Sequence, residues 1–95
     1  MLEQAASALN RQDYQTAAKL IAALVAERPD DPQVQLYAAQ LQEATNKLDR
    51  ALEIYRLLLQ HAINIKITAQ ARQGIHRVEQ LQAQIQANAL TLARA

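Results

Sequence analysis

Cysteine is absent from the chain, so it can form neither disulfides nor thiolate metal sites, which fits a reducing compartment. Phenylalanine and tryptophan are absent too, and the only aromatic residues are three tyrosines. With one glycine, Gly74, no phosphate-cradling loop can be built, and with two prolines there are few enforced stops. No apolar run approaches the roughly 20 residues needed to cross a bilayer. Met1 to Asn10 carries Glu3 and several polar side chains, unlike a secretory leader, so the expectation is a cytoplasmic protein with no membrane association. The single serine, Ser7, and two histidines, His61 and His76, are too few for a nucleophile, base and orienting acid. The histidines lie fifteen positions apart, without the close spacing of a metal pair. Asp31 beside Asp30 and Glu27 is explained as a helix cap, and nothing resembles a calcium loop. No enzyme, metal or cofactor is expected.

What remains is rich in alanine, glutamine, leucine and isoleucine, mostly strong helix formers. Sheets draw instead on valine, threonine and aromatic residues. The length suits one domain. Net charge is +1, but unevenly spread: from Ile65 onward four basic residues face one acidic, whereas residues 1–64 hold six basic and eight acidic. The end of the chain is therefore mildly basic and the body mildly acidic.

Apolar residues at Tyr14, Ala17, Ala18, Ile21, Leu24 and Val25 recur at three- and four-residue steps, an amphipathic helix. Asp13 stands at its N-cap, and Pro29 stops it. Asp31-Pro32 restarts the chain with a cap and a first-turn proline. The next helix runs to Thr45-Asn46, where asparagine suits a left-handed turn. Another carries Leu48, Ala51, Leu52, Ile54, Tyr55, Leu58 and Leu59, and Asn64 can cap the last. Five helices are predicted, at about 2–11, 14–27, 33–45, 48–61 and 66–93, with connections short enough to force antiparallel neighbours.

The hairpins copy one another. A shift of 34 superposes Ala5 on Ala39, Tyr14 on Leu48, Ala17 on Ala51, Leu20 on Ile54, Ile21 on Tyr55 and Leu24 on Leu58. That period, with Asp13-Tyr14-x-x-Ala17, Pro29, Ala39, Lys47-Leu48-x-x-Ala51 and Tyr55, resembles the tetratricopeptide repeat (TPR). Alanine replaces the family's usual glycine at Ala5 and Ala39. Gln12 and Asn46 occupy turns where glycine is common, and Ile63 replaces the second exit proline. The likeness covers residues 1 to roughly 78. Asn10-Arg-Gln-Asp-Tyr-Gln-Thr-Ala-Ala and Ala69-Gln-Ala-Arg-Gln-Gly also look like phrases of a cyanobacterial group of repeat proteins. The resemblance implies an all-α fold, a right-handed α-solenoid of two TPR-type hairpins (1–31 and 32–64) and a long C-terminal capping helix (65–95). It also implies a non-catalytic scaffold that binds a peptide or partner protein. Two hairpins are fewer than the three repeats usually needed, so the last helix must serve as the lid. Gly74 would allow it to approach closely.

In this family the first helix of each hairpin lines a peptide groove. Carried over, the groove candidates are Leu2, Ala6, Leu9 and Asn10, then Gln33, Leu36, Tyr37, Gln40 and Glu43, then Thr68, Arg72 and Gln73. The competing reading of Leu2, Leu9 and Leu36 is that they belong partly to the core. The groove lacks the pattern of lysines and asparagines that grips a carboxylate, with Arg72 and Asn10 its only suggestive members, so an apolar or amide-rich ligand fits better. The last helix, about 28 residues and roughly 42 Å, is twice as long as a repeat helix. Ile67, Ala71, Ile75 and Val78 can cover the second hairpin. Leu81, Ile85, Ala89 and Leu92 continue the apolar stripe beyond it and demand a neighbour, most simply an identical helix in a homodimer. The stripe could instead fray, or meet a longer chain. A further alternative is nucleic-acid binding through Lys66, Arg72, His76 and Arg77, against which the weak net charge argues.

Overall fold

The computed structural model describes residues 2–61 and 64–94, with the backbone alone for 90–94. Five helices follow in order: α1 (Leu2–Asn10), α2 (Tyr14–Glu27), α3 (Pro32–Ala44), α4 (Leu48–His61) and α5 (Ile65–Arg94). No strand occurs among the described residues, and the fold is all-α. The predicted ends are matched to within a residue, and the caps fall where the sequence puts them. The Asp13 carboxylate accepts from Thr16 N–H at 3.3 Å, Asp31 from Gln33 N–H at 2.9 Å, and Asn64 from Lys66 N–H at 2.8 Å. Each satisfies a backbone donor that a helix start leaves free.

The internal copy extends to the backbone. After α1, Gln12 N–H donates to Leu9 C=O at 3.1 Å and Asp13 N–H to Ala8 C=O at 2.9 Å. After α3, Asn46 N–H donates to Glu43 C=O at 3.2 Å and Lys47 N–H to Gln42 C=O at 2.8 Å. Both pairs are the reciprocal bonds of a Schellman cap, placed at equivalent positions of the repeat. Gln12 (φ 61°) and Asn46 (φ 64°) take the left-handed conformation that this cap needs. Asparagine enters it readily, but glutamine has no such ease.

Two hydrophobic clusters form the core, and α3 supplies both. Val34 and Leu41, on one side, join Ala5, Ala8, Ala17, Ile21 and Leu24. Leu36 and Ala39, roughly half a turn round, join Ala51, Leu52, Tyr55, Leu58, Ile67, Ala71 and Val78. α3 accordingly packs against all four other helices, whereas α2 and α4 do not pack on each other. Ala5, Ala8, Ala17, Ala39, Ala51 and Ala71 are fully buried, so their small side chains set how closely the helices approach.

Gly74 is required by a single neighbour. A Cβ there would come within 2.6 Å of three ring carbons of Tyr55, itself fully buried. The tyrosine ring thus lies against the bare backbone of α5. The helix runs 30 residues, about 45 Å, and sets the 49 Å long dimension of the molecule.

Two stability outcomes follow. Gly74→Ala gains about 1 kcal/mol of helix propensity but must displace a packed ring, costing about 1–3 kcal/mol or more. Its melting temperature should fall by roughly 5–10 °C in thermal denaturation. Gln12→Gly relieves a left-handed residue and should raise stability by about 0.5–1 kcal/mol in urea unfolding.

Candidate functional site

The groove candidates divide once the helices are packed. Since α1 packs on α3 and α3 on α5, these three helices stand in a row. Gln33, Tyr37 and Gln40 occupy one side of α3, and all three are half-buried. Asn10, Arg72 and Gln73 are exposed. Ala6 is half-buried, and Leu2, Leu9 and Tyr37 pack against the first cluster. Three candidates need correction. Leu36 is 1% exposed and belongs to the core, because the face of α3 that carries it is covered by α4 and α5. Glu43 is already engaged within the fold, and Thr68 turns its hydroxyl to Ile65 C=O at 3.0 Å.

Glu43 sits at the junction of three helices. Tyr55 Oη donates to its Oε1 at 2.7 Å, while Arg77 donates to Oε2 through Nε at 2.9 Å and to Oε1 through a terminal nitrogen at 3.0 Å. This is the bidentate fork that guanidinium geometry favours. Partial burial pushes the Glu43 carboxyl up, but the Arg77 and Tyr55 hydrogen bonds outweigh it and hold it below its ordinary value. Burial, then the Glu43 hydrogen bond, pushes the Tyr55 hydroxyl well above its usual range. The same contact raises Arg77. Arg77 is therefore committed to structure, which removes one member of the basic set Lys66, Arg72, His76 and Arg77.

On α5, the contacts with α4 run to Gln82, whose amide donates to Asp49 at 2.9 Å, with Arg56 and Glu79 paired at 3.6 Å. Asp49 lies in the first turn of α4, so the last dozen residues of α5 project past the hairpin's end. Ile85 (53%) and Ala89 are exposed there, and Leu81 (38%) is exposed just before the projection begins. Leu92, the fourth member of the predicted seam, has its side chain outside the described residues.

A further concavity lies elsewhere. A cleft of about 600 Å3 opens between α2 and α4, floored by α3. Gln35, Ala38 and Gln42 line it from the side of α3 opposite Gln33, Tyr37 and Gln40, so no groove candidate takes part. Tyr14, Ala18 and Val25 form one wall; Lys47, Arg50 and Ile54 form the other. Its signal in the sequence is the run Lys47, Arg50, Ile54 at helical steps on α4.

Ser7 lies in a smaller depression with Gln4, Arg11, Thr16 and Leu20, while His61 and His76 are exposed on α4 and α5. Among the described residues no three histidine, aspartate or glutamate side chains are grouped to hold a metal, and no helix is long and apolar enough to cross a membrane. Compared with family models, curated proteins and solved structures, the chain matches none of them.

The Glu43 contacts predict an acid-labile junction. With its carboxyl depressed in the folded state, the stabilisation is complete above the ordinary value of 4.5 and is lost as pH falls through the lower folded value. Glu43→Gln should cost about 1 kcal/mol at neutral pH, since Arg77 is half exposed, and should flatten the decline of melting temperature below pH 4.5.

Proposed function

We propose that this protein is a non-catalytic interaction module of the TPR type that self-associates through the apolar stripe of α5 from Leu81 onward. One observation carries the reading: Leu81 and Ile85 stand exposed on a helix that continues past the hairpin it covers. Successive apolar residues at four-residue spacing make one face, and such a face on a rigid helix gains from pairing with its copy. A two-fold axis across this stripe would set each seam against itself, the simplest closed arrangement. The groove side of α1, α3 and α5, with Asn10, Gln40, Arg72 and Gln73, is then left to a peptide or partner protein.

Support for the repeat reading comes from the paired Schellman caps and from the order of packing. Each first helix lies against its own second helix and against the next first helix: α1 with α2 and α3, α3 with α4 and α5. Gly74 stands on α5 where Ala39 stands on α3, offset by 35 rather than 34 residues. α5 thus opens as a third first-helix and goes on as an extension. With Arg77 held by Glu43, no observation favours nucleic acid over protein as the partner.

Sedimentation equilibrium of the full chain decides. The expected species is a dimer that the double substitution Leu81→Glu and Ile85→Glu converts to a monomer of unchanged helicity. A wild-type chain that stays monomeric at high concentration refutes self-association.

A further inference from the structure

We infer that the cleft between α2 and α4 is a second docking surface, built for an acidic amphipathic helix of another protein. It lies on the face away from the groove and apart from the projecting half of α5, so it does not depend on the reading above.

Shape comes first. The α2 lining runs from Tyr14 to Val25 and the α3 floor from Gln35 to Thr45, each about 15–17 Å long at the helical rise. At about 600 Å3 spread over that length, the cleft is an elongated open trough. It therefore admits one face of a helix and leaves the other in solvent, the helix-in-groove mode of recognition. Ile21, Val25, Ala38 and Leu41 give the trough an apolar strip beside the amides of Gln35 and Gln42, and the exposed alanines Ala18 and Ala22 keep the α2 side open.

Charge comes second. Lys47 and Arg50 are the ionic residues of the lining, and no acidic residue lines it. Among the described residues neither forms an ion pair, whereas Arg56 pairs with Glu79 and Arg77 with Glu43. Their position is also locally unfavourable. Lys47 occupies the place at the start of α4 that Asp13 occupies at the start of α2, where an acidic cap is favoured and a cation is not. The fold thus accepts two unpaired cations beside an apolar trough at an end where its own repeat uses an aspartate. Carboxylates flanking the apolar face of an incoming helix would complete both. A second copy of this chain is a poor occupant, because the projecting half of α5 carries no acidic residue beyond Glu79. Two cations and one tyrosine are also a thin set for nucleic acid, which calls for a basic track and stacking rings.

The test uses the full chain with a fluorescein-labelled synthetic helix bearing leucines on one face and flanking glutamates. A twin peptide has glutamine for every glutamate. Anisotropy should show binding of the acidic peptide and at least tenfold weaker binding of the twin. The double substitution Lys47→Glu and Arg50→Glu should weaken the acidic peptide at least tenfold. Ala22→Trp, which fills the trough from an exposed position and leaves the charges in place, should do the same. The Leu81→Glu and Ile85→Glu chain should bind as the wild type does. Circular dichroism checks each variant for helicity. Any of four results overturns the proposal: no binding of the acidic peptide, equal binding of both peptides, indifference to Ala22→Trp, or displacement of the peptide by a single-stranded oligonucleotide.

Discussion

α3 has to bury two opposite faces at once, and the rest of the molecule is arranged by that requirement. Val34 and Leu41 can leave water only against α1 and α2, Leu36 and Ala39 only against α4 and α5. A thirteen-residue helix is marginal alone, so its stability comes from this double contact. With both hydrophobic faces covered, two sides of α3 remain. One carries Gln33, Tyr37 and Gln40 between α1 and α5, and the other floors the cleft between α2 and α4. Both candidate binding surfaces are thus the by-products of one helix covered on two faces.

The second hairpin is fixed to α5 by more than apolar area. The Tyr55 ring fills the space left by the missing side chain of Gly74, and its hydroxyl reaches Glu43, which Arg77 grips from α5. Steric fit and hydrogen bonding act on the same register: sliding α5 by one residue would bring a side chain onto the ring and take the guanidinium from the carboxylate. That register determines where α4 stops shielding α5, and so which apolar residues, Leu81 and Ile85, are left exposed.

Local rules broken by a sequence tend to mark strain or function. Gln12 in a left-handed conformation is one such break, and its cause is structural, since the Schellman cap sits between α1 and α2 with no room for an ordinary continuation. Lys47 at a helix start is another, and no contact within the fold accounts for it. The difference between them separates a residue that the fold compels from one that it merely permits.

Much of this was legible in the sequence. Helix ends follow from Asp13, Asp31, Pro32 and Asn64, whose effects act within a few residues and need no tertiary context. The 34-residue copy, with Ala17 repeated at Ala51, and the excess length of α5 are likewise read from the sequence alone. The tertiary structure decided which apolar residue becomes core, as at Leu36, because exposure depends on what covers a face and not on the face itself. It also decided that Glu43 and Arg77, far apart in the chain, neutralise one another rather than meet a ligand. Above all it placed α2 and α4 on either side of α3 without contact, turning Lys47, Arg50 and Ile54 from an unremarked helical stripe into the wall of a cleft. Periodicity tells which residues share a side of a helix; only packing tells what that side faces.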